Sequence, residues 1–458
     1  MLASEYLRMG RLDEAEALAN AALAQEPNSA DALHVLARVA FRRGELVRAA
    51  ALATEAATHE PSAAQHVQLR RAIYEARGDF QEAAAAAQRV VELLPNDAMA
   101  YHELGAALGL LGDIDGVRRA AEAAIALSPD LASAHFMRAT ALLLTGEFAE
   151  GWREYEWRLR LQGTAGGIPP ADWLRWNGTP MPEEQRLLLF ADQGRGDIIQ
   201  FARYIDWAAE RCPNIVVSCP GEMWPVLRQF TVLRGIVEQW YQAGACVAYV
   251  PLGSLPMLAE TRVASIPAPV PYLRANPARV ATWRARLDSL LPAGARRIGL
   301  VWAGGSGHVN DRTRSMQLRD LEPLGALDDV SLVALQKGPA QAQVGQWFGR
   351  APLLQLGPLL ADFNDTMAVL DCLDLVVCVD TAVAHLAGAM GRPAWLMLPF
   401  APDWRWLLGR DDTPWYPTLR LFRQSTPRDW SSVVRRIADA LNSRQEACSS
   451  FTPGWKCA

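Results

Sequence analysis

Glycine and proline recur at one fixed spacing through the first third of this 458-residue chain. The glycines are Gly10, Gly44, Gly78, Gly112 and Gly146, and the prolines are Pro27, Pro61, Pro95 and Pro129, so that consecutive members of each set are 34 residues apart. A period of this length is the mark of stacked structural repeats, in which each unit packs against the next. The spacing therefore predicts a solenoid at the start of the chain.

Helices are the predicted content of each repeat, because this region is rich in Ala, Glu, Arg and Leu. Glycine between two helices, with proline after the second, is the pattern of the tetratricopeptide repeat. Small residues also stand where the paired helices must approach closely. Examples are Ala37, Ala49 and Ala56 in one repeat and Gly105, Ala121 and Ala124 in another. We therefore predict a tetratricopeptide α-solenoid over residues 1–162.

The last repeat departs from this pattern. Gly163 stands where the period requires proline, and the final helix carries Trp152, Tyr155 and Trp157. A terminal repeat of a solenoid is usually atypical because it caps the stack. We expect these aromatic side chains to dock the last helix onto the part of the chain that follows.

After residue 162 the pattern changes to short apolar runs that alternate with helical segments. The runs are RLLLFAD, NIVVSCP, ACVAYVP, RRIGLVWAG, VSLVALQKG, DLVVCVD, AWLMLPF and TLRLFRQ. Continuous apolar runs indicate strands buried on both faces, and hence parallel sheets covered by helices. A proline-rich break, IPAPVPYLRANPARV, separates two Rossmann-like α/β lobes that we predict at 165–275 and 290–425. A last helix, predicted over 429–445, is expected to pack on either lobe.

Charge and cysteine content exclude several classes of function. The net charge of −5 gives no reason to expect nucleic-acid binding, and no apolar run approaches the roughly 20 residues that span a bilayer. The N-terminus carries acidic residues and no apolar stretch, so no signal peptide is predicted. Seven scattered cysteines without a Cys-x-x-Cys pair indicate reduced thiols and no zinc site. We expect a cytoplasmic protein with neither a metal nor a cofactor.

Ligands of open α/β sheets bind beyond the carboxyl ends of the strands. Four strand ends of the second lobe offer glycines, a hydroxyl, imidazoles and cations at that position. The candidate residues are Gly304, Gly305, His308, Arg312, Arg314, Lys337, Thr381 and His385. These groups together favour an anion such as a diphosphate. Neither lobe opens with the glycine pattern of a P-loop or of a nicotinamide-binding fold.

Thr381 and His385 carry most of this prediction. Thr381 follows a strand that ends in Asp380, so it falls at a helix N-terminus, where unpaired N–H groups and the helix dipole favour anions. His385 lies four residues later on the same helical face. Each residue also has a plainer explanation: Thr381 as a helix cap, His385 as a core histidine and the cations as solvated loop charges. Only their convergence on one edge of the sheet favours an anion site.

The first lobe has one comparable feature, the stretch QGRGDIIQFARY after its first predicted strand. Gly194 and Gly196 permit a tight turn, and Asp197 begins an amphipathic helix. Asp197 is either the cap of that helix or a carboxylate in the cleft between the lobes, where it would act as a general base. His308 is the competing candidate for that base.

The stretches GRGDIIQFARY, DRTRS, LQKG and DTAVAHLAGAMGRP resemble those of tetratricopeptide-linked relatives of the bacterial heptosyltransferases, which are family 9 glycosyltransferases with a two-lobed GT-B fold. The resemblance covers residues 165–425 and extends to the pairing of repeats with a transferase. It implies that Thr381, the amide of Ala382 and His385 hold the donor pyrophosphate, that Asp197 is the base, and that Lys337 lies at the donor site. Ala382 stands where the family has glycine.

The resemblance also implies a metal-independent reaction that inverts the anomeric carbon. It leaves the donor sugar open, because heptose is only one of the family's substrates. The expected protein is a glycosyltransferase that moves a sugar from a nucleotide-diphosphate sugar to an acceptor hydroxyl. Its expected fold is a tetratricopeptide solenoid followed by a GT-B pair of Rossmann-like lobes.

The repeats are expected to recognise the acceptor. A protein acceptor is favoured over a lipid-linked or polysaccharide sugar, because tetratricopeptide grooves commonly hold extended peptides. Two alternatives stay open. The transferase half is either active or an inactive scaffold that binds nucleotide or protein partners, and the repeats either bind the acceptor or serve self-association.

Overall fold

Helices fill the first part of the chain, two to each 34-residue period. They are α1 (Leu2–Arg8), α2 (Leu12–Gln25), α3 (Ala30–Arg42), α4 (Leu46–His59), α5 (Ala64–Arg77), α6 (Phe80–Leu93), α7 (Ala98–Leu110), α8 (Ile114–Leu127), α9 (Ala132–Leu144) and α10 (Phe148–Tyr155). A glycine with φ between 72° and 87° separates the two helices of each period, and a side chain there would strain the backbone. This turn explains why the period keeps glycine.

Small side chains let neighbouring helices of the repeats pack closely. The predicted small residues Ala37, Ala49, Ala56, Gly105, Ala121 and Ala124 are all buried. A Cβ on Gly105 would lie 2.4 Å from the sulfur of Met137, so glycine allows α7 and α9 to approach. The 34-residue pattern therefore records helix contacts as well as turns.

The computed structural model describes residues 2–161, 173–267, 269–305, 307 and 311–443. By internal contacts the chain divides into two units, Met1–Ala141 and Leu142–Ala458. This division falls before the predicted end of the repeats at 162, since α10 packs within the second unit. Gly163 lies outside the described residues.

The first lobe of the second unit is built on a five-stranded parallel sheet. Its strands are β1 (Leu174–Arg175), β2 (Leu187–Phe190), β3 (Ile215–Ser218), β4 (Leu233–Val237) and β5 (Ala248–Pro251), and its helices are α11 (Arg195–Phe201), α12 (Ile205–Ala209), α13 (Trp224–Leu227) and α14 (Leu255–Leu258). The strand order is β1-β5-β2-β3-β4. In the central strand, Leu187 pairs with Ile215 on one side and Ala248 on the other.

The second lobe is built on a six-stranded parallel sheet. Its elements are α15 (Pro277–Leu290), β6 (Arg296–Val301), α16 (Asp311–Arg314), β7 (Val330–Ala334), β8 (Leu353–Gln355), α17 (Phe363–Asp371), β9 (Leu375–Val379), α18 (Ala382–Ala389), β10 (Ala394–Leu398), β11 (Leu419–Arg423) and α19 (Trp430–Asn442). The order β11-β10-β9-β6-β7-β8 is that of a Rossmann fold. The last helix belongs to this lobe, because Val433 and Ile437 share its core with Trp302 and Leu332.

The predicted fold class is confirmed: helical repeats precede two parallel-sheet α/β lobes, consistent with a GT-B-like arrangement. In each lobe the strand order reverses at one place, between β2 and β5 in the first and between β6 and β9 in the second. Such switch points open a crevice at the carboxyl ends of the strands. These two crevices are where a site must be sought.

Candidate active site

The loop after β6 is held in place by Gln336, which follows β7. Its Oε1 accepts from the backbone N–H groups of Trp302 (3.0 Å) and Ala303 (2.9 Å), and its Nε2 donates to the Ala303 carbonyl (3.0 Å). Gln336 is buried. The Gln336 amide therefore bonds to backbone groups and fixes the position at which the loop after β6 enters the crevice.

Arg314 lies directly over that loop. A Cβ on Gly304 would be 2.7 Å from Arg314 Nη2, so glycine is needed for this close approach. The Gly304 N–H donates to Ser315 Oγ (2.9 Å), which donates to Asp311 Oδ1 (2.8 Å). Arg314 Nε is buried, and none of the described groups hydrogen-bonds to it; its distance to Asp311 Oδ1 is 3.7 Å. The guanidinium thus has capacity for another partner.

Thr381 is the N-cap residue of α18 and stands directly after β9, with Asp380 before it. Its side chain does not cap the helix. Thr381 Oγ1 is buried, and within the described part of the chain it has no hydrogen-bond partner. Ala382 begins the helix, whose first N–H groups have no partners inside the helix. A buried hydroxyl and a helix N-terminus therefore meet at the β6–β9 crevice.

His385 is buried one turn into the same helix. Its Nδ1 hydrogen-bonds to the Tyr416 hydroxyl (2.9 Å), and its ring packs on Trp406 at 5.4 Å. Burial, with Arg405 nearby, holds the pKa of His385 well below its usual value, so the imidazole is neutral. Its Nε2 lies 3.9 Å from Asp380 Oδ1. His385 can donate one hydrogen bond at this position but carries no positive charge.

Asp197 meets a buried arginine from the other lobe. Its carboxylate accepts from the Gly194 N–H (3.0 Å) and forms an ion pair with Arg405. Arg405 also donates to Gln200 Oε1 (2.6 Å) and to Asp403 Oδ1 (2.7 Å). Burial raises the pKa of Asp197, and the charge of Arg405 opposes that rise. The Asp197 side chain is 21% exposed, so the carboxylate keeps access to solvent.

The two lobes touch at this point. A Cβ on Gly196, in α11, would lie 2.8 Å from His385 Cδ2, in α18. The first turns of the two helices therefore face each other, and Asp197 and Thr381 belong to one region. Asp380 completes it: burial, with Asp403 nearby, raises the pKa of Asp380 to about 6.

The structure brings some predicted site residues together and leaves others apart. Gly304, Arg314, Thr381, Ala382, His385 and Asp197 line the region where the lobes meet. Lys337 follows β7, two strands from β9, and its Nζ donates to the Leu360 carbonyl (2.5 Å). Arg312 is exposed, and Gly305 faces open space. His308 lies outside the described residues, so its candidacy as a base stays a prediction.

The sequence placed Asp380 at a strand end without giving it a role, and it did not single out Asp403 or Arg405 as members of the site. The stretch PFAPDWRW follows a predicted strand and contains two of them, which was the available signal. Their importance is set by burial and by partners far along the chain. Arg405 and Asp197, for example, are 208 residues apart.

Two cavities among the described residues lie away from the polar region where the lobes meet. A cavity of about 640 Å³ is lined by residues of α4 and α5, and one of about 420 Å³ lies between β11 and α19. Across the ranges the structure describes, no three His, Cys, Asp or Glu side chains are grouped to hold a metal ion. None of the described helices is long and apolar enough to cross a membrane.

The fold and the site define a helical-repeat protein joined to two parallel-sheet α/β lobes that meet at a polar region. Two family models match parts of it: tetratricopeptide repeat at residues 1–65, and glycosyltransferase family 9 (heptosyltransferase) at residues 355–395. The second match runs from the end of β8 into β10 and includes Thr381, Ala382 and His385. Parts of the chain are thus similar to tetratricopeptide repeats and to family 9 glycosyltransferases, as the sequence predicted.

Protein FlbA of Caulobacter vibrioides (strain ATCC 19089 / CIP 103742 / CB 15) is 28% identical over 325 residues, covering 65% of this chain and 52% of FlbA. The chain therefore spans about half the length of this curated relative. Among solved structures, MamA is 21% identical with a TM-score of 0.33, over 35% of this chain and 94% of MamA. PilF of Pseudomonas aeruginosa is 20% identical with a TM-score of 0.33, over 36% of this chain and 75% of PilF. Scores this low add nothing to the fold described above.

Proposed function

We propose that this chain transfers a sugar from a nucleotide-diphosphate sugar to an acceptor hydroxyl. The observation that carries the proposal is the pair of unsatisfied polar groups at the β6–β9 crevice, counted over the described residues: Thr381 Oγ1 and Arg314 Nε. Buried polar groups normally have partners. A diphosphate bound at the N-terminus of α18 would satisfy both groups and would also accept from the helix N–H groups.

Electrostatics support the same placement of the diphosphate. Arg314 lowers the pKa of His385 and opposes the rise in the pKa of Asp380, so its positive charge acts on the crevice. As the bond to the sugar breaks, negative charge grows on the leaving diphosphate. Arg314 and the helix terminus would stabilise that charge more strongly than they stabilise the bound donor, which is the requirement for catalysis.

Asp197 is the proposed general base. Its pKa is raised by burial, which makes the carboxylate a stronger proton acceptor, while Arg405 favours the ionised form. A hydroxyl activated by Asp197 would attack the anomeric carbon opposite the leaving diphosphate, and the configuration would invert. In this proposal the arginine and helix terminus replace a metal, so turnover is expected to continue in excess EDTA.

The repeats are proposed to recognise the acceptor, with a protein acceptor favoured over a lipid-linked or polysaccharide sugar. Each repeat adds one helix pair, and such arrays present extended surfaces that suit extended ligands. The donor sugar and nucleotide are left open in this proposal.

The test is a thermal-shift screen of nucleoside diphosphates and nucleotide sugars, because a ligand that binds only the folded chain raises its Tm. Arg314→Met removes the charge and keeps the aliphatic length. We expect it to weaken diphosphate binding about 10- to 100-fold, the usual cost of one charge-assisted hydrogen bond. The matched control is Arg350→Met, an exposed arginine that precedes β8.

Unchanged affinity in Arg314→Met would refute the assigned pocket. A second measurement follows nucleotide release from any sugar donor that binds. Binding without release, in the presence or absence of candidate acceptors, would favour the inactive-scaffold alternative.

A further inference from the structure

The first-lobe crevice is filled by the chain itself. A 3₁₀ helix over Glu156–Arg160 follows α10 and enters the space between the ends of β2 and β5. Arg158, 5% exposed, pairs with Asp192 Oδ2 (2.8 Å) at the end of β2 and donates to Ser254 Oγ (2.9 Å) beyond β5. A Cβ on Gly253 would lie 2.9 Å from Arg158 Nη2. Arg158 therefore takes up the space between the end of β2 and the turn after β5.

Gln193 connects this arginine to the proposed base. The amide satisfies its neighbours when its oxygen faces the guanidinium and its nitrogen faces the carboxylate. In that orientation Gln193 accepts from Arg158 Nε (2.7 Å) and donates to Asp197 Oδ1 (2.9 Å). Gln193 lies in the turn between β2 and α11. The Gln193 side chain therefore contacts both Arg158, in the segment after α10, and the Asp197 carboxylate.

Tyr155, the last residue of α10, contacts one neighbour of Asp197 and one neighbour of Arg405, the two residues of the ion pair. Its hydroxyl hydrogen-bonds to the Gln193 side chain (2.9 Å). Its ring packs on the Trp404 ring, with the ring centres 5.6 Å apart. The Arg405 guanidinium packs on the same Trp404 ring, 4.3 Å from its centre. Tyr155 is 2% exposed, so its hydroxyl has a fixed position.

We infer that Tyr155 and Arg158, at the end of the repeats, are positioning residues that hold the Asp197 carboxylate in place through Gln193. The inference rests on the proposed function, because it assigns these residues to the general base of that reaction. Neither residue touches the reacting atoms. Their effect is to fix one rotamer of Asp197 at the place where the lobes meet, and a small displacement of a base lowers the rate steeply.

The test compares Tyr155→Phe and Gln193→Met with a matched control. Tyr204→Phe removes a buried hydroxyl of the first lobe, one that hydrogen-bonds to Thr261 Oγ1 (2.9 Å). We expect Tyr155→Phe and Gln193→Met to lower the kcat of nucleotide release about 10-fold with the donor KM unchanged. Tyr204→Phe should change neither value by more than about two-fold, although it costs a similar hydrogen bond.

A double-mutant cycle decides the inference even if no donor is turned over. Each of Tyr155→Phe and Tyr204→Phe is combined with Asp197→Asn in the full chain, and the Tm is measured. We expect the Tm change caused by Tyr155→Phe to shrink to less than half when Asp197 is already replaced. The change caused by Tyr204→Phe should be the same in both backgrounds.

The outcomes separate the two claims. Additive effects of Tyr155→Phe and Asp197→Asn on the Tm, together with a Tyr155→Phe kcat equal to that of Tyr204→Phe, overturn the inference. Coupled Tm values in a chain that turns over no nucleotide sugar support the positioning contact and refute the proposed reaction. If Tyr155→Phe does not fold, Gln193→Met is carried through the same cycle and decides in its place.

Discussion

Arg405 is a buried cation whose three side-chain partners among the described residues, Asp197, Gln200 and Asp403, come from both lobes. Removing it would leave Asp197 and Asp403, both partly buried, without their compensating charge, which is more costly than losing the pair as a whole. Its ring neighbour Trp404 adds a cation–π contact at 4.3 Å. At the scale of one residue, this arginine joins the lobes and sets the charge of the proposed base.

Lys337 and Arg314 were predicted to serve the same diphosphate, and their contacts differ. The Lys337 ammonium donates to the Leu360 carbonyl, whereas Arg314 Nε lacks a hydrogen-bond partner among the groups described and lies 3.7 Å from Asp311 Oδ1. We expect Lys337→Ala to weaken nucleoside-diphosphate binding less than about three-fold, against the larger loss expected for Arg314→Met. Calorimetric titration of both variants measures this. Equal losses would place Lys337 in the pocket after all.

The half-buried His34 predicts a pH-dependent stability for the repeats. Its Nδ1 lies 3.1 Å from Nδ1 of His66, between α3 and α5. Burial, then His66 and Arg38, lower the pKa of His34 to about 4, and Asp31 opposes this. The folded chain therefore binds fewer protons than the unfolded chain between pH 6.5 and 4. The stability contributed at this site is complete above pH 6.5 and is lost as the pH falls towards 4.

We expect the rate of backbone amide hydrogen exchange in α3 and α5, corrected for the intrinsic rate, to increase as the pH is lowered from 6.5 to 4. His34→Gln should flatten that dependence, while His59→Gln on α4 should keep it. The same acceleration in wild type and in His34→Gln would contradict the assignment.

At the scale of elements, seven of the eight predicted strands are central in their sheets, and the eighth, β11, is an edge strand whose residues are mostly buried. The runs that gave β2, β3, β5, β6, β7, β9 and β10 are continuous and apolar because parallel strands inside a sheet are buried on both faces. The strands that the sequence did not predict, β1, β4 and β8, lie at sheet edges. Their residues are exposed or half-buried, so no apolar run marks them. The site residues divide in a similar way. Thr381 follows the end of β9 and Arg314 follows the glycine-rich segment after β6, so local sequence marks both, whereas Arg405 owes its role to partners 205 and 208 residues away.

Helix α10 belongs to the lobes by its contacts. Trp152 donates to the Thr261 carbonyl (3.2 Å) and packs on Trp404 at 5.2 Å, and Phe148 stacks on Trp415 at 6.1 Å. A fragment that starts at residue 165 would expose these partners, and large apolar patches promote aggregation. We expect this fragment to aggregate, and a fragment that starts at residue 130 to stay monomeric. Size-exclusion chromatography distinguishes them; a monomeric, folded 165–458 fragment would contradict the role given to α10.

At the scale of the whole molecule, the proposal assigns donor binding to the second lobe and acceptor recognition to the repeats. The donor groups all lie after residue 303, within a lobe that has its own core. We expect the fragment 130–458 to bind donor and hydrolyse it slowly as the full chain does, but to lose transfer to the natural acceptor. Nucleotide release with and without acceptor measures both activities. Acceptor transfer that survives the truncation would favour self-association as the role of the repeats.

The arginine that fills the first-lobe crevice also limits how such chains can be recombined. A solenoid is usually treated as a module that can be exchanged at any repeat boundary. Here the segment after α10 supplies Arg158 to Asp192 and Ser254, so an exchange at the apparent end of the repeats would remove part of the transferase. A hybrid that keeps the native chain from residue 130 onward preserves these contacts. Shuffling of repeats in this architecture, whether in the laboratory or over evolutionary time, is therefore expected to spare the final helix pair.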